Sequence, residues 1–409
     1  MNQIRKRAQE KREEICRDRR YLHQNPEIGM DLPGTVSYIG ERLSEMGIKW
    51  NFCGGELSEK MTADYMEAGF PEMKKAVGIT AVIGQGSPCI LLRADMDALP
   101  IREETDLPYC STNGDGHMCG HDSHAAMLLG AAGILKEMES ELCGSVKLLF
   151  QPGEETGAGA KMMVAGGALR NPDVDAAFGL HVQPLQETGR VGYCRGVNSA
   201  SLDTFIVKIK GKGGHSSQPQ ICVDPLMILN QVYQAVNLLV PREVDPAAMA
   251  TLTCGVVKGG TAVNIIPDTA ELHIGVRTLD LGASEHLRRR IPEVIDHYVR
   301  AWNGDYEMTV FQTPCTYSDR KFVKEMLPFL EETAGRENVE EIPPMSGTED
   351  FGYVTREVPG MFVFIGAGKE GNAPLHNAHM VLDEEVLPIG AAIYADAAVS
   401  WLKKKRNEE

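Results

Sequence analysis

The chain has 409 residues, with 41 Lys and Arg against 57 Asp and Glu, which gives a formal net charge of −16 at pH 7. That balance lacks the clustered positive charge needed to neutralise phosphates, so the sequence does not read as a nucleic-acid binder. At 43% hydrophobic and 24% charged residues it has an ordinary globular make-up, long enough for two domains or one domain with an insertion.

The opening, MNQIRKRAQEKREEICRDRR, is charged throughout and has no apolar stretch of the kind a signal peptide or membrane anchor needs. A soluble, cytoplasmic protein without membrane or nucleic-acid partners is the expectation. Ten cysteines are scattered without repeated spacing, so they read as buried reduced thiols rather than a disulfide framework. Residues 3–20 are polar and helix-favouring, and residues 34–46 carry apolar positions at helical spacing. Short apolar runs then recur: ILLRA at 90–94, SVKLLF at 145–150, AAFGLHV at 176–182 and MFVFIGA at 361–367. Each is bounded by Gly, Pro or polar residues, as buried strands of a mixed or parallel sheet covered on both faces would be. Residues 124–138 read as a helix between two of them. The alternation predicts an α/β class, a mixed sheet flanked by helices.

From about residue 199 the pattern changes. LDTFIVKIKG, ATLTCGVVKGG and TAELHIGVRTL alternate like half-exposed strands, DPLMILNQVYQAVNLLV is an amphipathic helix, residues 284–301 a second, and YEMTVFQ a last strand. This is a β-α-β-β-α-β, ferredoxin-like order. Because MFVFIGA resembles the earlier buried strands, the reading is one domain made of residues 1–198 and 314–409, interrupted by a satellite domain at 199–313.

Polar clusters follow the buried strands: ADMDALP after the first, QPGEETGAG after the second, and His181 within the third. In open α/β sheets ligands gather beyond the carboxyl ends of strands, so these clusters are expected to converge. The densest is His117-Met-Cys119-Gly-His121-Asp122-Ser-His124, rich in the imidazole and thiolate ligands of zinc-like ions, with Asp122 placed to orient a ring. Glu154 and Glu155 are adjacent, so on extended chain one carboxylate can bind a metal while its neighbour faces the activated water. His376 lies in APLHNAHM, after the last buried strand. A lone histidine in an apolar run is more often a hydrogen-bonded core residue. Several strand ends that each deliver a metal-competent side chain change that reading: Cys119, His121, Glu155, His181 and His376 suffice for two divalent ions.

The motifs RADMDALPI, HMCGHDSHAAM, FQPGEET, GLHV, GKGGHSS, GGTAVNIIPDTAEL, SGTEDFGYV and LHNAHM occur in this order across nearly the whole chain. Together they closely resemble the amidohydrolase branch of the aminoacylase and carboxypeptidase metallopeptidases. That branch includes hippurate hydrolases, indole-acetyl-amino acid hydrolases and N-acetyl-diaminopimelate deacetylases. The resemblance implies two divalent metals per subunit (zinc, manganese, cobalt or nickel) on Cys119, His121, Glu155, His181 and His376, with Glu154 as general acid and base. It implies that Asp97 orients ligands, that His215 of the inserted domain steadies an oxyanion in a partner subunit, and that Asn264 and Arg277 lie near the substrate. It also implies a lid and a homodimer contact from the satellite domain. The implied reaction is hydrolysis of N-acyl amino acids; short peptides, cleaved by a carboxypeptidase or dipeptidase, are the alternative substrate. From the residues alone, a Cys119 nucleophile paired with His121, or a catalytically inert binding protein, are competing readings. Departures from the branch are Gln220 after Pro219, where histidine is frequent, Ala378 after LHN, where proline is frequent, and a longer stretch at 52–77.

Overall fold

The structure, a computed structural model, describes residues 3–67, 70–368 and 371–408. The chain divides into two compact units, one of Met1–Asn198, Thr316–Pro343 and Asp350–Glu409, the other of Ser199–Cys315 and Pro344–Glu349. The short Pro344–Glu349 stretch belongs with the second unit through backbone bonds such as Ala200 N–H to Gly347 O, 2.8 Å, a tie without any signal in the strand pattern.

The first unit is built on an 8-stranded mixed sheet in the order Trp50–Glu56, Lys75–Gly84, Ser145–Gln151, Cys89–Asp95, Ala176–Glu187, Gly360–Gly368, Val191–Tyr193, Val339–Glu341. The four central strands, from Ser145–Gln151 to Gly360–Gly368, run parallel, with Arg93 beside Leu149 and Gly179, and Phe364 beside His181. Cys89–Asp95, Ser145–Gln151 and Gly360–Gly368 are buried at every residue. That is why they read as continuous apolar runs rather than alternating ones. Helices His121–Glu137 and Val386–Glu408 pack together beside this sheet, with Gln3–Glu10, Arg12–Gln24 and Arg320–Ala334 against them. Val386–Glu408 is long and apolar enough to cross a membrane, yet 83% of its most apolar window is buried within the fold, as in a core helix.

Helix ends differ from the periodicity reading for local reasons. The expected 3–20 helix is Gln3–Glu10 followed by Arg12–Gln24, prolonged to Gln24 because Leu22 and His23 are buried. The 124–138 helix starts at His121, after Gly120 at φ 86°. The 284–301 helix starts at Leu281, since the Asp280 carboxylate accepts the Ala283 N–H at 2.7 Å and caps it. The 52–77 stretch holds the Trp50–Glu56 strand, a helix at Glu59–Glu67 and the start of Lys75–Gly84.

In the second unit, four antiparallel strands lie in the order Ala250–Gly259, Thr269–Thr278, Ser201–Lys210, Asp305–Thr313. Helices Pro225–Asn237 and Leu281–Ala301 bury Ile228, Val232, Leu287 and Ile291 against Val207, Ile209, Leu272 and Ile274. The first of these helices begins on Asp224, whose carboxylate accepts the Leu226 N–H at 2.9 Å.

Candidate metal centre

Four parallel strands end on the same side of the sheet, and that shared polarity brings distant residues together. Asp95 closes one strand and Asp97 follows it; Glu154 and Glu155 follow the next; His181 lies on the third; His376 follows the fourth. Cys119 and His121 come from the start of the His121–Glu137 helix. Gly120 between them has φ 86°, and a Cβ there would lie 2.5 Å from Val182 Cγ2, so only glycine lets the thiol and imidazole flank this tight approach.

The donor atoms meet. Cys119 Sγ lies 3.5 Å from His181 Nε2 and 3.3 Å from His376 Nε2. His376 Nε2 is 3.3 Å from Glu155 Oε1, which is 4.0 Å from His121 Nε2. Ligand atoms of Cys119, His121 and His181 all lie within 4.8 Å of one another, as do those of Cys119, Glu155 and His376, and those of His121, Glu154 and Glu155. The Cys119 sulfur is common to the first two triads. His376 adopts φ 61°, a left-handed backbone that costs a non-glycine residue some strain, and its half-exposed ring reaches the other donors through Nε2.

These residues fit divalent ions of the zinc type. His121 Nδ1 donates to the Asp97 carbonyl (2.9 Å) and His181 Nδ1 to the Val182 carbonyl (2.7 Å), so each ring in its neutral form has its lone pair on Nε2. His121 Nε2 is buried, with no hydrogen-bond partner among the described residues. Donor separations of 3.3 to 4.0 Å approach the roughly 3.3–3.7 Å edge of a tetrahedron with bonds of about 2.0–2.3 Å. The Asp97 carboxylate accepts the backbone N–H groups of Glu154 (2.9 Å) and Glu155 (3.1 Å), which fixes the loop that presents both carboxylates.

Burial and the neighbouring charges set the protonation of the donors. Burial, then the Glu155 carboxylate, pushes the Cys119 thiol well above its usual range. Burial would lower His121, but Asp95 and Cys119 raise it on balance, while His181 is pulled down by burial and by His124. The Glu155 carboxyl stays low because the His376 hydrogen bond and the His121 charge outweigh burial. A cation entering here would displace protons.

The ring that Asp122 contacts is that of His23. The Asp122 carboxylate accepts from Arg19 Nε and from His23 Nδ1, both at 2.9 Å, whereas His121 is held by Asp97. Successive helical residues point about 100° apart, so Asp122 faces away from the donors. His117 is buried with neither ring nitrogen partnered among the described residues, and burial lowers its pKa to about 3. His215, Asn264 and Arg277 lie in the second unit. His215 is exposed on the short Gly214–His215 strand, Asn264 O accepts the Ser216 N–H, and Arg277 Nη1 donates to Thr348 Oγ1 at 2.7 Å.

Several residues around the donors gave no clear sequence signal. His124 donates from Nδ1 to Asp95 (2.6 Å) and accepts the Val182 N–H at Nε2 (2.9 Å), bracing the strand that carries His181. Its spacing three residues after His121 was the available clue. Arg93, fully buried, bonds Asp95 (2.8 Å), Asp350 (2.9 Å) and Gln151 (2.9 Å). In the unusual 52–77 stretch, Tyr65 is buried and hydrogen-bonded to Thr156, the residue after Glu155.

A match to the family described as Peptidase family M20/M25/M40 spans residues 91–400. The chain belongs to this family. It is thus a hydrolase of amide bonds. IAA-amino acid hydrolase ILR1-like 4 of Arabidopsis thaliana is 34% identical over 394 residues, covering 94% of this chain and 84% of that one. Thermostable carboxypeptidase 2 of Saccharolobus solfataricus is 32% identical, covering 95% and 96%. Among solved structures, a Bacillus subtilis protein described as a dinuclear metal binding peptidase from the M20 family superposes with a TM-score of 0.74 at 30% identity, covering 96% of this chain and 98% of that one.

Proposed function

We propose that this family member hydrolyses N-acyl amino acids, with acetyl or aromatic acyl groups, to a carboxylic acid and a free amino acid. The observation that carries the reading is the pair of donor triads sharing the Cys119 sulfur, with a further carboxylate, Glu154, beside His121 and Glu155. Cys119, His121, Glu155, His181 and His376 would hold two divalent ions, zinc, manganese, cobalt or nickel, all of which accept mixed thiolate, imidazole and carboxylate ligands. When bound, such ions acidify a water and polarise a carbonyl.

The chain's own residues do the rest. Glu154 takes a proton from the attacking water on its carboxylate and delivers it to the leaving nitrogen, a double role open to a carboxyl whose pKa suits the working pH. Asp97 keeps Glu154 in register through the backbone N–H bond. His215 donates a hydrogen bond to the oxyanion in a partner subunit's site, a kind of contact whose loss costs about 10²–10³ in rate. Arg277 offers a guanidinium for the carboxylate of the amino-acid half, and Asn264 an amide beside it. Ten free cysteines agree with a reducing, cytoplasmic setting. The Ala250–Gly259 edge strand gives a homodimer through the second unit a surface to pair on.

Metal analysis of protein purified without added ions tests the assignment. Glu154→Ala should keep its metal and lose turnover; Glu155→Ala should lose both. Near-normal turnover by Glu154→Ala would end its role as base. The Saccharolobus relative favours a second reading, a carboxypeptidase of short peptides. A panel of N-acetyl and aromatic-acyl amino acids against dipeptides separates the two, since the preferred class should lead in kcat/KM by about tenfold or more.

A further inference from the structure

His215 has a feature that the oxyanion role does not by itself require. Its backbone is tied on both sides: Gly214–His215 pairs with Ile265–Ile266, Ser216 N–H donates to Asn264 O at 3.1 Å, and Gln218 N–H donates to His215 O at 2.9 Å. The exposed ring then meets Ser217 twice. The Ser217 backbone N–H reaches His215 Nδ1 at 3.1 Å, and the Ser217 hydroxyl lies 2.8 Å from the same nitrogen. A backbone N–H can only donate, so Nδ1 must carry the lone pair and the neutral ring bears its proton on Nε2. With an N–H already at Nδ1, the hydroxyl also donates. Both ring torsions are thereby held by a local contact of the kind serine makes in turns.

We propose that Ser217 is a positioning residue for the amide hydrolysis, locking His215 as an oriented Nε2–H donor rather than a proton acceptor. The inference rests on the reading that His215 meets the substrate oxyanion and says how its donor is prepared. A donor fixed before the reaction needs no reorganisation when charge develops.

Selective ¹⁵N-histidine labelling of the full-length, metal-loaded enzyme, with His215→Gln to assign the signal, reads the tautomer directly. The expected spectrum has a bare Nδ1 and a protonated Nε2. Ser217→Ala should lower kcat by about 2- to 10-fold, the equivalent of one net hydrogen bond, with KM, metal content and melting temperature unchanged, and Ser217→Thr should restore it. A protonated Nδ1 in the wild-type ring, or wild-type kcat in Ser217→Ala, overturns the proposal. If His215→Gln itself has wild-type kcat, the oxyanion role fails and the positioning role with it. If His215→Gln is impaired while Ser217→Ala is not, only the positioning role fails.

Discussion

The Asp97 carboxylate is the residue whose removal most sharply tests how the centre is assembled. It is 1% exposed and accepts two backbone N–H groups, Glu154 at 2.9 Å and Glu155 at 3.1 Å. Asp97→Asn is nearly isosteric, but its amide NH₂ cannot accept, so one part-buried N–H is left facing another donor. An unsatisfied buried donor costs about 1–3 kcal/mol, and loss of charge on the surviving bond about 1 kcal/mol more, giving roughly 2–4 kcal/mol of stability. Relief of the clash moves the Glu154–Glu155 loop, and a shift near 1 Å at reacting groups is worth about 10²-fold in rate. Loss of an outer hydrogen-bond partner of metal ligands weakens metal binding about 10- to 100-fold. Urea unfolding with metal present, metal content by mass spectrometry, and kcat/KM on the best N-acyl amino acid measure the three effects. Full metal occupancy together with kcat/KM within about threefold of wild type would falsify the idea that this carboxylate sets the loop.

Arg93→Met should be far more damaging to stability than to metal donors. It removes the buried cation that pairs Asp95 and Asp350 at 2.8 and 2.9 Å, leaving them the His124, Gln151 and Ala160 donors, at about 3–5 kcal/mol, seen as a melting temperature at least about 5 °C lower. An unchanged melting temperature refutes that account. Glu103 titrates at about 2 instead of 4.5, since the His23, Thr105 and Ser111 hydrogen bonds outweigh burial. Its folded pKa is depressed, so its contribution is present above pH 4.5 and lost as pH falls toward 2. Glu103→Gln should therefore flatten the slope of stability against pH in that window, and parallel slopes for variant and wild type would count against it. For metal removal, the raised Cys119 thiol must shed its proton before the sulfur ligates, so affinity should rise at least about tenfold per pH unit near neutrality and chelators should strip the enzyme faster in mild acid. Competition with a chelator of known pH dependence measures this; a flat profile means the thiol does not ligate.

Much of the fold was legible from local pattern. Strands such as Cys89–Asp95 and Ser145–Gln151 are buried throughout, so their apolar runs stood out, and the satellite strands alternate because one face is covered by helices. Less legible were helix starts, set by single contacts such as the Asp280 cap, and the Pro344–Glu349 stretch, tied to the second unit by backbone bonds that leave no mark on composition. Asp122 shows the limit most clearly. Its place in the motif named no particular ring, and it is helical geometry that turns it toward Arg19 and His23.

What the sequence determined by itself was the chemistry: which side chains can ligate or transfer protons, their order, and the strands that carry them. Only the tertiary structure decided which nitrogen each histidine offers and which carboxylate holds which loop. The tautomers of His121, His181 and His124 are fixed by the carbonyls and amide of Asp97 and Val182, groups every residue possesses. Backbone donors and acceptors are invisible in a sequence until the fold gives them direction.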